Sequence, residues 1–184
     1  MAKEIICAGF GGQGVLTAGM ILAKAGMEMD KNVLFYPSYG SEMRGGTANC
    51  TVKISDGKIA SPVSRRPDIV FTLNTPAVDK FEPILKENGI LFINSSIVPE
   101  KRKFRDDITV VKVPVTDISG EEENPKAANL AMLGALAEMT DLFDTDYLEK
   151  EILRFFESKG KGKYNQKNVA CYRRGVEAVK HDRQ

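Results

Sequence analysis

Short apolar runs alternate along this chain with longer segments in which apolar residues recur every three or four positions. The runs cover residues 5–8, 33–36, 68–73, 89–94 and 108–113. Runs of this length are typical of strands buried on both faces, and the longer segments are typical of helices. The alternation predicts an α/β domain of three layers, with a mostly parallel central sheet and helices on both faces.

The first helical segment follows the first run directly. Its apolar positions are spaced by three and four residues: Val15, Ala18, Leu22, Ala25 and Met29. A strand, a helix and a second strand at 33–36 make a βαβ unit. We therefore expect the first two strands to form a parallel pair, with Pro37 ending the second strand.

Two later helices begin with a capping residue followed by proline, which favours the first helical position. One begins at Thr75–Pro76 and is expected to end at Asn88–Gly89, and the other begins at Asn124–Pro125. The latter covers 127–139 and has one charge in thirteen residues, so it is predicted to be buried. Further helices are predicted at 146–158 and 166–180.

A smaller element is predicted between the second and third parallel strands. Residues 47–54 have the composition of a strand, and Asp56–Gly57 is a dipeptide typical of hairpin turns. Residues 58–60 are then expected to return antiparallel, before Ser61–Pro62 ends the pairing. The sheet is therefore predicted to be mixed, with a small antiparallel hairpin insertion.

Length and charge narrow the classes of function. The chain has 184 residues, which fits a single domain covering 1–184. Lys and Arg total 26 against 25 Asp and Glu, so the formal net charge is +1. This balance leaves no surplus of positive charge to attract a nucleic acid or an anionic membrane, and we expect neither as a partner.

The cysteines are few and far apart in the sequence: Cys7, Cys50 and Cys171. No pair has the spacing of a zinc knuckle or an iron–sulfur loop, and three thiols cannot hold a four-cysteine cluster. The first apolar run is too short for a signal-peptide core, and no run of about 18 apolar residues is present. We expect a cytoplasmic protein with reduced thiols and no metal of its own.

A glycine-rich motif, Gly9-Phe10-Gly11-Gly12-Gln13-Gly14, follows the first predicted strand and begins the first predicted helix. This is the G-x-G-x-x-G pattern in the context that it requires. Glycines allow positive φ, and the free N–H groups at a helix start favour an anion. The motif predicts a phosphate or pyrophosphate site, with a tight strand-to-helix turn that binds no ligand as the alternative.

Two specific kinds of phosphate site, an NAD site and a P-loop, each need a residue that this sequence lacks. Binding of NAD usually needs an acid near the end of the second strand, where this chain has Phe35-Tyr36-Pro37-Ser38. Glu28 and Asp30 precede that strand and are expected at its other end. The lysine of a P-loop is also missing, since Gly14 is followed by Val15.

A second polar segment follows the second strand: Tyr39, Gly40, Ser41, Glu42, Met43, Arg44, Gly45 and Gly46. It is expected beyond the carboxyl end of that strand, the edge at which parallel sheets bind ligands. The guanidinium of Arg44 offers a planar fork for phosphate or carboxylate. The alternative is a surface loop with a weak ion pair between Glu42 and Arg44.

These motifs together resemble the gamma subunit of 2-oxoacid:ferredoxin oxidoreductases. The resemblance also includes Ser61–Pro62, Pro67–Asp68, Asn74-Thr75-Pro76-Ala77, Asn129, Leu133-Gly134-Ala135, Asn168, Ala170 and Gly175, and so extends over essentially the whole chain. It implies a subunit, inactive alone, of a hetero-oligomeric enzyme that oxidatively decarboxylates a 2-oxoacid with coenzyme A and reduces ferredoxin.

The resemblance further implies that thiamine diphosphate, Mg²⁺ and 4Fe–4S clusters are held by alpha, beta and delta subunits. It places no catalytic residue on this chain. Gly11, Gly12, Gln13 and Gly14 are the expected anion cradle for a cofactor, and the expected substrate-side wall or subunit contact contains Tyr39, Glu42, Arg44, Gly45 and Gly46. The alternatives are an independent NAD(P)-binding Rossmann-type enzyme and a non-enzymatic nucleotide-binding regulatory module.

Overall fold

The computed structural model describes residues 2–39 and 47–180. The strands are β1 (Lys3–Phe10), β2 (Asn32–Tyr39), β3 (Thr47–Ser55), β4 (Ile69–Thr72), β5 (Ile90–Asn94) and β6 (Thr109–Val113). The helices are α1 (Val15–Glu28), α2 (Thr75–Phe81), α3 (Val115–Glu121), α4 (Ala128–Met139), α5 (Thr145–Ser158) and α6 (Asn165–Val179). Short 3₁₀ turns follow α2 and precede α4 and α6.

The strands form one sheet in the order β2-β3-β1-β4-β5-β6. The pairs β1–β4, β4–β5 and β5–β6 are parallel, whereas β3 is antiparallel to both of its neighbours. All strands except β3 therefore run in one direction. We call the edge at which these strands end the carboxyl edge, and the opposite edge the amino edge. The predicted mixed, mostly parallel α/β sheet is confirmed.

The position of β3 corrects one expectation about the sheet. The predicted parallel pair of first and second strands is wrong, because β3 lies between β1 and β2 and pairs with both. Cys50 of β3 is opposite Cys7 of β1 on one side and Pro37 of β2 on the other. Pro37 continues the second strand instead of ending it, which is tolerated because β2 is at the edge of the described sheet.

The predicted return strand at 58–60 is also wrong. Those residues have no strand structure, and the chain after β3 crosses toward Val63, whose carbonyl oxygen accepts a hydrogen bond of 2.9 Å from Lys53 Nζ. The physical reason is that β1 and β2 already occupy both edges of β3. No edge of β3 remains for a third strand, so the antiparallel element of the sheet is β3 itself.

Helices cover both faces of the sheet, as the alternation of side chains along each strand requires. Ile5 and Cys7 of β1 face a large apolar cluster formed with α1, α3, α4, α5 and α6. Ile6 and Ala8 face the other way, toward a smaller cluster that includes Val78 of α2. The expected helix from Thr75 to Asn88 is shorter than predicted, since α2 ends at Phe81 ahead of a 3₁₀ turn.

The apolar helix α4 is buried, as its composition predicted, and it packs closely against α6. Glycines allow this approach. A Cβ atom built on Gly175 of α6 would overlap the carbonyl oxygen of Ala131 in α4, and one built on Gly134 would overlap that of Tyr172. The two helix backbones are therefore in direct contact.

None of the helices formed by the described residues combines the length and the apolar character needed to cross a membrane.

Candidate functional site

The chain leaves β1 and β4 toward opposite faces of the sheet. After β1 it enters α1, whose Val15 and Ala18 belong to the large apolar cluster. After β4 it enters α2, whose Ala77 and Val78 belong to the smaller cluster on the other face. Because β1 and β4 are parallel neighbours, the two connections diverge at the carboxyl edge. Open α/β sheets usually bind ligands in the crevice formed where neighbouring connections diverge in this way.

The connection from β1 to α1 consists of residues 11–14, which we call the glycine turn. Gly12 has a φ of 95° and Gly14 a φ of 75°, conformations that favour glycine. Gly11 and Gly12 are exposed, and a Cβ atom built on Gly12 would have nothing within 4 Å. The outer part of the turn is thus open, next to the first N–H groups of α1 that have no partner inside the helix.

The side chain of Gln13 points inward and bridges β1 and β4. Its Oε1 accepts hydrogen bonds from the Phe10 N–H (2.7 Å) and from Asn74 Nδ2 (3.0 Å). Its Nε2 donates to the Leu73 carbonyl oxygen at 3.4 Å. The Gln13 side chain therefore lies on the inner side of the glycine turn, with its amide engaged by protein groups.

Asn74 lies directly after β4 and serves two elements. Its Oδ1 accepts the Ala77 N–H at 2.9 Å and so caps α2, while its Nδ2 donates to Gln13. The side chain is buried, with 2% of the residue exposed. One buried amide therefore couples the start of α2 to the glycine turn.

Asn129 of α4 contacts the glycine turn from the other side. Its Nδ2 donates to the Gly14 carbonyl oxygen at 3.0 Å, and a Cβ atom built on Gly14 would lie 2.7 Å from that nitrogen. Asn129 is 3% exposed, and its Oδ1 has no hydrogen-bond partner among the described residues. The inner end of the turn is closed by this contact.

A third amide lies at the end of the next strand. Asn94, the last residue of β5, donates to the Leu73 carbonyl oxygen (3.3 Å) and to Thr116 Oγ1 (2.8 Å). Residue-based reasoning missed Asn74, Asn94 and Asn129 as site residues. The sequence did contain a signal for each of them. Asn74 comes directly after a buried apolar run, Asn94 ends the next such run, and Asn129 is a polar residue in a largely apolar helix.

Most of the second predicted segment, including Glu42, Arg44, Gly45 and Gly46, lies outside the described residues. Its flanks are described. Tyr39, of which only the backbone is described, pairs with Ala48, which pairs in turn with Gly9, and Thr47 pairs with Phe10. The segment thus begins and ends at the carboxyl edge, directly beside the glycine turn.

A hollow of about 710 Å³ lies at the amino edge, far from the glycine turn. Residues that line it include Lys3, Met29, Lys31, Asp68, Lys86 and Phe143. Lys86 Nζ lies 2.8 Å from Asp68 Oδ1, and the Glu4 N–H donates to Oδ2 of the same carboxylate at 3.0 Å. Burial disfavours the Asp68 carboxylate, but these contacts outweigh burial and lower the pKa of Asp68.

The described cysteines are buried and form no disulfide. A hydrogen bond with Cys50, together with burial, raises the pKa of the Cys7 thiol well above its ordinary value. Within the described ranges, no three side chains of His, Cys, Asp or Glu come together in a group that could hold a metal ion.

Comparison with known proteins gives one family match. Residues 4–178 match the family described as pyruvate ferredoxin/flavodoxin oxidoreductase, abbreviated POR. The match includes the glycine turn, Asn74 and Asn129.

Curated relatives include three kinds of oxoacid enzyme subunit. The chain is 38% identical over 182 residues to the 2-oxoglutarate synthase subunit KorC of Methanocaldococcus jannaschii, covering 98% of this chain and 95% of that one. It is 34% identical over 187 residues to the pyruvate synthase subunit PorC of Thermotoga maritima, covering 96% and 94%. The ketoisovalerate oxidoreductase subunit VorA of Methanothermobacter marburgensis is 34% identical over 172 residues, which are 92% of this chain but 35% of that longer one.

Solved structures share the fold. The gamma subunit of keto/oxoacid ferredoxin oxidoreductase from Geobacter sulfurreducens superposes with a TM-score of 0.81 at 28% identity, covering 96% of this chain and 98% of that one. The 2-oxoglutarate:ferredoxin oxidoreductase of Magnetococcus marinus, solved with 2-oxoglutarate, coenzyme A and succinyl-CoA bound, gives a TM-score of 0.87. At 20% identity, with 98% of this chain covering 31% of that one, it supports the fold alone.

Proposed function

This chain belongs to the pyruvate ferredoxin/flavodoxin oxidoreductase family as a gamma-type subunit of 2-oxoacid:ferredoxin oxidoreductases, and we propose from that premise what it contributes. The complex would convert a 2-oxoacid and coenzyme A to acyl-CoA and carbon dioxide while reducing ferredoxin. This chain would act in it as a single domain spanning 1–184, in the cytoplasm, together with alpha, beta and delta subunits.

The proposed role of this subunit is to bind the phosphate groups of coenzyme A at the carboxyl edge. Gly11, Gly12, Gln13 and Gly14 form the cradle. The observation that carries the proposal is the open Gly11–Gly12 backbone, which lies at the diverging connections of β1 and β4 and at the start of α1. Such a position favours an anion because unpaired N–H groups and the helix dipole act together.

The neighbouring segment is proposed as the substrate-side wall or a contact with a partner subunit. It contains Tyr39, Glu42, Arg44, Gly45 and Gly46. Support comes from its flanks, since Tyr39 and Thr47 are at the same sheet edge as the glycine turn. The fork of an arginine in this position suits a phosphate or a carboxylate.

Thiamine diphosphate with Mg²⁺ and the 4Fe–4S clusters are assigned to the partner subunits. Within the described part of this chain, no group of side chains is suited to hold a metal ion. The three cysteines lie in three different elements: Cys7 in β1, Cys50 in β3 and Cys171 in α6. When bound, thiamine diphosphate supplies the carbanion chemistry of decarboxylation. The residues of this chain bind and orient coenzyme A.

The cradle is tested by kinetics of the reassembled complex with Gly12→Val and Arg44→Ala. A branched side chain at a φ of 95° distorts the turn and fills its open face, so we expect the KM for coenzyme A to rise by roughly fivefold or more. The KM for the 2-oxoacid should not change. Gly57→Val is the matched control, because Gly57 is equally open but lies beyond β3 near the amino edge. Unchanged coenzyme A kinetics in both test variants would refute the cradle.

The subunit role is tested by isolating the chain from its native cells under anaerobic conditions. We expect larger companion chains that carry thiamine and iron, and oxoacid-dependent reduction of a low-potential dye. Recovery as a lone chain that binds NAD(P) would instead support an independent dehydrogenase, and recovery as a lone chain that binds adenine nucleotides would support a regulatory module.

A further inference from the structure

The residues of the glycine turn do not by themselves restrict it to one conformation. Two of its residues adopt positive φ, and glycine at such positions has many accessible conformations in the absence of other contacts. A flexible turn must be ordered when it binds, and that ordering weakens affinity. The groups that hold the turn therefore bear directly on its capacity to bind.

Three amide side chains, Gln13, Asn74 and Asn129, surround the inner side of the turn. Gln13 Oε1 is shared by the Phe10 N–H and by Asn74 Nδ2, so it fixes the point at which the turn leaves β1. Asn129 Nδ2 holds the Gly14 carbonyl oxygen, the point at which the turn enters α1. The three amides thus fix both ends of the turn and leave Gly11 and Gly12 exposed between them.

The three amides come from separate parts of the fold. Asn74 lies between β4 and α2, and Asn129 lies in α4, which packs on the other face of the sheet. Because Asn74 also caps α2, any shift of that helix is transmitted to Gln13. Two protein donors share Gln13 Oε1, and Gln13 Nε2 donates to the Leu73 carbonyl oxygen, so protein groups hold both ends of this amide.

We propose that Gln13, Asn74 and Asn129 are positioning residues that hold the Gly11–Gly12 backbone in its anion-binding conformation and do not themselves contact the ligand. This inference rests on the proposed function. It changes the role of Gln13 from cradle ligand to support, and it adds two residues to the site.

The test uses the assembled complex with Gln13→Met and Asn74→Ser. Methionine keeps the volume of Gln13 but accepts no comparable hydrogen bond. Serine remains a good helix cap, yet its short hydroxyl does not reach Gln13, so Asn74→Ser removes the contact with the turn and keeps the cap. Asn168→Ser is the matched control, because it makes the same chemical change at a buried amide of α6 whose hydrogen bond is with Asn124 and not with the turn or its three amides.

We expect both test variants to raise the KM for coenzyme A by about fivefold to tenfold, the effect of losing one or two hydrogen bonds. The kcat at saturating coenzyme A should stay within about twofold, because the bound turn regains its conformation. Hydrogen exchange at the Phe10 amide should accelerate in both variants, since its acceptor is lost or loosened. Asn168→Ser should lower the Tm to a similar extent with no change in that KM.

Two results would overturn the inference. In the first, the Phe10 amide exchanges faster in Gln13→Met and Asn74→Ser while the KM for coenzyme A is unchanged. This result would mean that the amides order the turn but that its order does not affect coenzyme A binding. In the second, all three variants raise that KM in proportion to their loss of Tm, which would mean a general structural effect. In either case an elevated KM in Gly12→Val would leave the proposed cradle intact, whereas an unchanged KM in both Gly12→Val and Arg44→Ala would refute cradle and inference together.

Discussion

At the scale of single residues, the described side chains that hydrogen-bond to the glycine turn are uncharged, whereas charged pairs occupy the amino edge. Gln13, Asn74 and Asn129 bond the turn without adding charge where an anion would bind. Asp68 and Lys86 pair at the opposite edge, where β4 and β5 begin. The two edges therefore differ in how they respond to pH.

The Asp68 pair predicts how stability depends on acid. The folded pKa of Asp68 lies below its usual 3.8, so the pair stabilises the fold above that value and loses this effect as pH falls through the lower, folded pKa. Asp68→Asn should lower the Tm at neutral pH and flatten the fall of Tm below about pH 3.8. Thermal melts across that range measure the effect. The exposed Asp106→Asn is the control, and an equal acid profile in the two variants would contradict the prediction.

At this scale, the sequence predicted a turn in which glycines adopt positive φ. It did not predict that the Gln13 side chain points inward. The glycines form a local pattern, and a positive φ can be anticipated from the residue type alone. The direction of the Gln13 side chain depends on Asn74, which is 61 residues away, and that contact exists only after β1 and β4 have paired.

At the scale of elements, the contact between α4 and α6 depends on glycines that allow two backbones to meet. Gly175 lies against the Ala131 carbonyl oxygen, with no space for a methyl group. The low charge of α4 predicted that it would be buried, and the structure adds that α6 covers it.

This contact predicts a large difference between two alanine substitutions. Gly175→Ala should force α4 and α6 apart and lower the Tm by roughly 3–10 °C. Gly120→Ala in α3 is the matched control, because a Cβ there would meet nothing within 4 Å and alanine favours a helix. Thermal melts of the two proteins measure the difference, and equal Tm values would show that the close approach is unimportant.

Individual strands were predictable because each is a short apolar run, but the strand order was not. The residues of β3 that follow Thr47 are all buried, so the pattern indicates only that both faces are covered. Whether β3 pairs with β2 alone or also with β1 depends on which edge is free, and that is a property of the assembled sheet. Helix α3 was missed because it has seven residues, of which only Val115, Ile118 and Ser119 are buried.

At the scale of the whole molecule, the two edges of the sheet offer different kinds of surface. The amino edge has the hollow of about 710 Å³, and the carboxyl edge has the open glycine turn. Connection geometry favours the carboxyl edge for ligand binding.

That assignment is tested by a substitution in the hollow. Met29 lines it and is 42% exposed, so Met29→Glu changes its charge without opening the core. We expect the KM for coenzyme A in the assembled complex to remain within about twofold of the unmodified enzyme, a change equivalent to about 0.4 kcal/mol. A rise comparable to that of Gly12→Val would move the binding site to the amino edge.

The hydrogen bond from Asn129 to Gly14 joins residues 115 positions apart. During synthesis, the glycine motif leaves the ribosome long before its last support has been translated. A truncated chain that ends before α4 would still contain the complete motif, but Gly14 would have lost the amide that closes it. A gene fragment that encodes the G-x-G-x-x-G motif but not α4 thus encodes the motif without the amide that holds it in place.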